Sequence, residues 1–346
     1  MQKNVFVYCN GNSKIGSGHF WRCLNIADEL RKRQLAITFL YTSLSDKLQQ
    51  VLAEKEYPGT ALNTTLKEGF TEYLNGQSGK QRRNLLIVDS DLTEFYELDF
   101  QNAVIQTGTK LMIITVNPNF KYVSHLILNQ NILSLSQNYD TSKETRALFG
   151  PEYFIYKLEY RDEGVRKKTK TNGDVLIAFG GADPCNYTFQ LMKFILTKTE
   201  LEHINFHVVV GPLNPQLDDI MEMCSGVGNV SVYYNTIRMK EIMQSCAIAV
   251  CSPGMVYWES ILLGLRTILL SSSPREKPIA KFLNDQHYGL TISNYDEPLS
   301  IKKFELLEKE LVLGTTEFYS RLDHLRGMIN PKGVEKVAEE IEKILI

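Results

Sequence analysis

The feature that most constrains the fold is an alternation of short apolar runs, rich in β-branched residues, with longer amphipathic stretches. The runs form two groups along the 346 residues. The first group contains NVFVYC, LAITFLY, NLLIVDS, KLMIITVN and HLILNQN, and the second contains DVLIAFG, INFHVVVG, VSVYY, AIAVCS, RTILLSS and GLTISN. Because buried strands that alternate with helices form parallel sheets covered on both faces, each group predicts one α/β domain.

A charged segment without apolar periodicity, residues 160–174, separates the two groups and is interpreted as a solvated linker. We therefore predict an N-terminal Rossmann-like domain over residues 1–160, a C-terminal Rossmann-like domain over 174–300, and closing helices over 301–346. Two such domains whose parallel sheets face each other across a cleft form the α/β arrangement called GT-B. In open α/β sheets, ligands bind beyond the carboxyl ends of the strands, so the residues there are the candidates.

Composition excludes several other classes of protein. The formal net charge of −2 and the lack of a basic face argue against a nucleic-acid partner. No apolar run approaches the roughly 20 residues that span a bilayer, and the N-terminus reads as a first strand rather than a signal peptide. The six cysteines have no paired spacing, so we expect reduced thiols and a cytoplasmic protein.

The first strand is followed by a glycine-rich turn, IGSGH, that opens a helix. Gly16 and Gly18 let backbone N–H groups approach a ligand, and the helix N-terminus favours an anion. His19 lies in the first turn and Arg22 one turn later. A neutral imidazole near pH 7 makes His19 a candidate general base. The alternative, a turn whose glycines serve close strand–helix packing, stays open.

Glycines also follow strands in the second half of the chain. Gly180 and Gly181 precede Asp183 and a new helix, and Gly211 ends the next strand. These turns suit a diphosphate, although an ordinary strand–helix turn has the same pattern. His203 and His207 straddle the entry to a strand, where a spacing of four does not place both on one face, so no metal site is expected.

The stretch AIAVCSPGMVYWESILLGL is the most informative part of the second half. Its strand ends in Ser252 and Gly254, and a short helix then carries Trp258 and Glu259. An acid inside an apolar helix needs a specific partner, because an unpaired buried carboxylate is costly. Ribose hydroxyls fit this role, so we predict that Glu259 binds a ribose; the alternative is a glutamate that faces solvent.

Together these stretches resemble the nucleotide-sugar hydrolases that release UDP in pseudaminic acid synthesis, and their spore-coat polysaccharide relatives, over most of residues 4–290. The best matches are IGSGHFWRCLNIADEL, HLILNQN, LFGPEYFIYKLEY, FGGADP, VVVGPLNP, YWESILLGL and KPIAKFLNDQHYG. The architecture is also similar to that of the N-acetylglucosaminyltransferase of peptidoglycan synthesis. The resemblance implies a GT-B fold, UDP bound mainly by the C-terminal domain, His19 as the base at the anomeric carbon, and neither a metal nor a cofactor besides the UDP-sugar substrate.

The chain departs from this family at its sugar-facing positions. Asp89 is retained, but Ser90 and Asp91 replace the usual His-Tyr, and Arg275–Glu276 replaces an Asn-Gln pair. A pair of aspartates is replaced by Asn117–Pro118. We take Asp89 and Asp91 as catalytic candidates with His19. For Asp91 three roles stay open: a substitute polar contact, a second acid–base group, or a solvent-facing residue.

Two enzymatic functions follow. The favoured one is a UDP-sugar hydrolase in which His19 activates water and releases a free N-acetylated deoxysugar for nonulosonic acid or surface-glycan synthesis. The alternative is an inverting glycosyltransferase in which His19 activates an acceptor hydroxyl, with a glycan acceptor or a peripheral membrane contact as its partner. The segment GKQRRN, residues 79–84, is a small candidate for such a contact. A non-enzymatic sensor of UDP-sugars is disfavoured by the presence of Gly18, His19 and Glu259.

Overall fold

The computed structural model describes residues 2–12, 16–63, 67–77, 82–162, 164–165, 173–313 and 317–346. In these ranges the strands are β1 (Gln2–Cys9), β2 (Ala36–Tyr41), β3 (Gly59–Ala61), β4 (Arg82–Asp89), β5 (Lys110–Ile114), β6 (Lys121–Tyr122), β7 (Leu126–Asn129), β8 (Asp140–Thr141), β9 (Arg146–Phe149), β10 (Asp174–Ala178), β11 (Phe206–Val210), β12 (Val230–Tyr234), β13 (Cys246–Cys251), β14 (Arg266–Leu270) and β15 (Leu290–Ser293).

The α-helices in the same ranges are α1 (Gly18–Lys32), α2 (Asp46–Glu54), α3 (Lys67–Gln77), α4 (Leu98–Gln106), α5 (Leu158–Arg161), α6 (Tyr187–Ile195), α7 (Leu217–Cys224), α8 (Met239–Ser245), α9 (Met255–Leu262), α10 (Glu276–Asp285), α11 (Ile301–Leu313), α12 (Leu322–Met328) and α13 (Gly333–Ile344). None of these helices has the length and the apolar content needed to cross a membrane.

The chain divides into two compact units. Unit 1 contains the residues up to Leu158 together with Lys332–Ile346, and unit 2 contains Glu159–Pro331. The described strands of unit 1 form a parallel sheet in the order β3-β2-β1-β4-β5-β7-β9, beside a small pairing of β6 with β8. Those of unit 2 form a parallel sheet in the order β12-β11-β10-β13-β14-β15. The prediction of two Rossmann-like parallel sheets is confirmed.

The order of strands reverses at one place in each sheet. In unit 1 the reversal lies between β1 and β4, where Cys9 is the register partner of Asp89. In unit 2 it lies between β10 and β13, where Ala178 is the partner of Cys251. Helices that leave neighbouring strands toward opposite faces open a crevice at such a point, and ligands bind there. The ends of β1, β4, β10 and β13, all selected from the sequence, therefore lie at the two reversals, whereas Gly211 follows β11.

Two boundaries differ from the sequence-based expectation. The segment 160–174 begins inside α5, and Tyr160 and Arg161 are buried rather than solvated; the Tyr160 hydroxyl donates to the Met243 sulfur at 3.6 Å. Residues 163 and 166–172 of that segment lie outside the described residues. The helices of 301–346 do not form one group, since α11 and α12 belong to unit 2 and α13 belongs to unit 1.

Candidate functional site

The loop that precedes α1 needs glycine for its backbone rather than for packing. Gly16 has a φ of +82°, a left-handed conformation that side chains disfavour, and its N–H donates to the Asn12 carbonyl at 2.8 Å. No heavy atom lies within 4 Å of the position that a Cβ would take at Gly16 or at Gly18. Close strand–helix packing is therefore not the reason for these two glycines, and the space beside them is open.

His19 lies between two carboxylates. Its Nδ1 is 2.6 Å from Asp89 Oδ1, and its Nε2 is 3.3 Å from Asp91 Oδ2. The Asp89 side chain is 1% exposed, that of His19 15% and that of Asp91 40%. The structure thus brings together the three residues that the sequence offered as catalytic candidates. Because the two contacts use both ring nitrogens, the ring has one fixed orientation.

Asp89 is held by three residues from one face of α1. Arg22 donates to both of its oxygens, from Nε at 2.6 Å and from Nη2 at 2.7 Å. The Cys23 thiol donates to Oδ2 at 3.8 Å, and His19 supplies the third contact. Residues three and four apart share a helix face, so the spacing of His19, Arg22 and Cys23 predicts that their side chains lie on the same side of α1. The Arg22 guanidinium is directed at Asp89, and the binding of the nucleotide by Arg22 stays a prediction.

These contacts fix the charges of the site. Burial alone raises the pKa of Asp89, but the charges of Arg22 and His19 outweigh it and hold that pKa well below its usual range. Burial likewise lowers the pKa of His19, but the Asp89 charge and the hydrogen bonds to Asp89 and Asp91 outweigh burial and raise the pKa to about 9. The expectation of a neutral imidazole near pH 7 is wrong for the free protein, because a histidine between two carboxylates retains its proton.

The loop after β4 places Asp91. The Tyr96 hydroxyl donates to the Ser90 carbonyl, and the Ser90 hydroxyl accepts from the Leu92 N–H at 3.2 Å. Ser90 and Tyr96 were not among the sequence-based candidates, since a loop contact between residues six apart has no periodic signal.

In unit 2 the predicted glycine turns lie against each other. A Cβ at Gly211 would be 2.2 Å from the Gly180 carbonyl oxygen and 2.5 Å from the Gly181 Cα, so only glycine fits there. The Leu213 N–H donates to the Gly181 carbonyl at 2.9 Å. Gly180 itself has a φ of +74° and open space around its Cβ position. Gly211 thus has a packing reason, whereas Gly180 and Gly181 border open space.

Asp183 is the cap of a helix. Its Oδ1 accepts from the Tyr187 N–H at 2.9 Å and its Oδ2 from the Thr188 N–H at 2.8 Å, at the first turn of α6. Its carboxylate is buried. Asp183 thus accepts from N–H groups at the start of this helix that an anion would otherwise use, and its contact with the nucleotide stays a prediction.

A second carboxylate, Glu276, lies beside Ser252 and Gly254. The Cβ position of Gly254 is 3.7 Å from the Ser252 hydroxyl and 3.9 Å from Glu276 Oε1. Glu276 Oε2 accepts from the N–H and the hydroxyl of Ser272, each at 2.7 Å. Glu276, one of the positions at which the sequence departs from the family that it resembles, therefore lies next to the loop of Ser252 and Gly254, which was predicted to contact the nucleotide.

Trp258 and Glu259 face the interior of unit 2, and Glu259 is 1% exposed. Burial raises the pKa of the Tyr160 hydroxyl, and the nearby negative charge of Glu259 raises it further. Tyr160 of the same unit is thus close enough to the Glu259 carboxylate for the two side chains to interact electrostatically, and the contact of Glu259 with a ribose stays a prediction. The sequence did not predict that Tyr160 and Glu259 lie close together, because Tyr160 belongs to the short helix α5, far earlier in the chain.

The remaining predictions concern metals and the basic segment. No group of three or more metal-ligating side chains occurs among the described residues. His207 Nε2 lies 2.8 Å from Asp174 Oδ2 and its Nδ1 lies 3.0 Å from the Tyr233 hydroxyl. Residues 79–81 of the GKQRRN segment lie outside the described residues.

Comparisons with known proteins give two relatives of low identity. An uncharacterized protein of Methanocaldococcus jannaschii is 24% identical over 330 residues, which cover 88% of this chain and 65% of that protein. This chain therefore spans less than two thirds of that relative's length. The spore coat polysaccharide biosynthesis protein SpsG of Bacillus subtilis is 22% identical over 294 residues, covering 84% of this chain and 83% of that one. No protein-family profile matches the chain.

Solved structures match over nearly the whole chain. MurG of Acinetobacter baumannii has a TM-score of 0.65 at 12% identity and covers 99% of both chains. A UDP-glucosyltransferase from Polygonum tinctorium has a TM-score of 0.62 at 12% identity, again over 99% of both chains. Anabaena HepE in complex with UDP-glucose has a TM-score of 0.61 at 10% identity, over 98% of this chain and 99% of that one. The predicted GT-B fold class is confirmed by these likenesses.

Proposed function

We propose that the protein is an inverting GT-B glycosyltransferase, which moves a sugar from a nucleotide donor to an acceptor hydroxyl. The observation that carries the proposal is the His19–Asp89 pair at the first turn of α1, in a fold shared with a UDP-glucosyltransferase. A histidine oriented by a buried carboxylate is a general base with a fixed ring, as in other enzymes that activate hydroxyl groups. The likeness to glycosyltransferases favours transfer over the hydrolysis that the sequence alone favoured.

The residues of unit 1 supply the proton chemistry. Asp89, fixed by Arg22, accepts from His19 Nδ1 and leaves Nε2 to take the proton of the acceptor hydroxyl. The acceptor oxygen then bonds to the anomeric carbon from the side opposite the nucleotide. The bond from that carbon to the diphosphate oxygen breaks, and its electron pair leaves with the nucleoside diphosphate. Attack from the opposite side inverts the configuration at the anomeric carbon.

The nucleotide is assigned to the strand ends of unit 2. Open space beside Gly180 and Gly181 lets backbone N–H groups approach a diphosphate. We assign UDP, in keeping with the UDP-glucose complex of Anabaena HepE. Glu259 is our candidate for the ribose hydroxyls, and the Tyr160 hydroxyl lies near its carboxylate. The likeness to SpsG supports a product that is used in polysaccharide biosynthesis.

The first test is UDP release from a panel of UDP-sugars, with and without hydroxyl-bearing acceptors, followed by mass spectrometry of the sugar product. We expect release that depends on an acceptor and a product in which the sugar is attached with inverted configuration. Stoichiometric free sugar without an acceptor would instead establish the hydrolase. Absence of both UDP binding and UDP release would refute the assignment of UDP.

A further inference from the structure

Asp91 is held in place from both sides of the chain. Its neighbours Ser90 and Leu92 are joined by the hydrogen bond from the Leu92 N–H to the Ser90 hydroxyl, and the Ser90 carbonyl accepts from Tyr96. The half-exposed carboxylate of Asp91 is thereby directed at His19 Nε2, at 3.3 Å. This nitrogen is the one that must be free of a proton in the proposed reaction.

The two carboxylate contacts of His19 favour a proton on each ring nitrogen, while the Arg22 Nη2 also lies 3.2 Å from Nδ1. Asp89 has no proton to donate, so Nδ1 must carry the hydrogen of the 2.6 Å bond. With Nε2 unprotonated, its lone pair would face the carboxylate oxygen of Asp91, which is also an acceptor, and the two would repel. The charged groups that act on the ring are Asp89 from β4, Asp91 from the following loop, and Arg22 from α1, whose positive charge opposes the two carboxylates.

We propose that Asp91 is a positioning residue that keeps a proton on His19 Nε2 in the free protein and thereby prevents the base from activating water. An acceptor hydroxyl displaces the Asp91 carboxylate, and the Nε2 proton leaves to solvent. Nε2 then takes the hydroxyl proton, the acceptor oxygen bonds to the anomeric carbon, and the diphosphate leaves with the electron pair. The donor is in this way protected from hydrolysis before an acceptor binds. This second half of the inference rests on the proposed function.

The protonation of His19 is tested without any substrate. We would follow the imidazole signals of the six histidines by NMR and assign His19 by the loss of its signal in His19→Gln. A titration from about pH 5 to about pH 10 covers both protonation states. Asp91→Asn should lower the pKa of His19 by about one unit, since an adjacent opposite charge is removed. Asp91→Glu keeps the negative charge and should leave the pKa of His19 close to that of the parent protein. Asp99→Asn, at an exposed carboxylate paired with Lys67, is the matched control and should change nothing.

The second readout is UDP release in the absence of an acceptor at pH 7. A one-unit fall in the pKa makes about tenfold more neutral imidazole, so Asp91→Asn should release UDP up to about tenfold faster than the parent protein. An unchanged His19 titration in Asp91→Asn would overturn the inference. A lowered pKa without faster release would overturn the protective role. Absence of release from every donor by both proteins, even after acceptors are added, would refute the proposed function, while the titration would still decide whether Asp91 holds the proton.

Discussion

Asp89 is a buried carboxylate whose hydrogen-bond donors, among the described residues, come from one face of α1. A buried charge of this kind is stable only with a partner that neutralises it, and Arg22 does so through two hydrogen bonds. With Asp91 included, the cluster is neutral when His19 is protonated and carries one negative charge when it is not. Its own electrostatics therefore favour the imidazolium ion, and the base becomes available only when the surroundings change.

At the scale of single residues the first prediction concerns pH. If neutral His19 is the base, kcat/KM rises about tenfold per unit of pH below its pKa and levels near pH 9. Only the deprotonated form acts, so activity is lost as the pH falls. Initial rates of UDP release, measured from about pH 6 to about pH 10, check this dependence. A rate that is independent of pH below about 8 would contradict the role of His19.

The same residue allows a direct substitution. His19→Gln keeps a polar side chain of similar reach but removes the proton acceptor, so kcat should fall by about 10²–10⁴-fold. Affinity for UDP, measured by calorimetry, should change little, because the nucleotide is assigned to unit 2. A variant that retains its full turnover would remove His19 from the mechanism.

The sequence predicted which residues meet at this site better than it predicted their state. His19 and Asp89 follow neighbouring strands of a parallel sheet, so their proximity follows from the topology. The contact of Asp91 depends on the path of a loop, and the pKa of His19 depends on small differences in the distances to its neighbours. Neither quantity leaves a pattern in the order of residues.

At the scale of elements, α6 and the glycine turns show how one pattern can serve two purposes. A strand, two glycines and a helix start suited a diphosphate, yet the first N–H groups of α6 are taken by Asp183. Gly211 is required by the carbonyl of Gly180, and no ligand needs to be invoked for it. From the sequence alone, a glycine that packs against backbone and one that borders open space look the same, because the neighbour that decides is far along the chain.

Asp183 offers a test of cap against ligand contact. Asp183→Ala removes both acceptors at the start of α6 and places alanine at a φ of +44°, so we expect a loss of about 2 kcal/mol in the free energy of unfolding. Asp183→Asn tolerates this backbone and should lose less. Denaturant unfolding measures the free energy of unfolding of both variants, and calorimetry measures their affinity for UDP. A large loss of UDP affinity with unchanged stability would show that Asp183 contacts the nucleotide.

At the scale of the whole molecule, residues that are consecutive in the sequence do not all belong to the same compact unit. The chain leaves unit 1 after Leu158 and returns to it at Lys332. The apolar stripe of α13, including Val334, Val337 and Ile341, belongs to the core that also contains α1 and β1. The two sheets were predictable because each is built from consecutive buried runs. The destination of the last helix was not, since an amphipathic stripe specifies that a face is buried but not against which partner.

This arrangement predicts that unit 1 depends on the last helix of the chain. Ile341 is 0% exposed in the core of unit 1, and Ile341→Ala should reduce its free energy of unfolding by about 2–5 kcal/mol, through lost burial and a remaining cavity. Ile346 is 79% exposed, so Ile346→Ala makes the same chemical change in the same segment and should cost less than about 0.5 kcal/mol. Amide hydrogen exchange read at β1 and α1 reports on unit 1 specifically. Equal protection in the two variants would mean that α13 does not stabilise the sheet that positions His19 and Asp89.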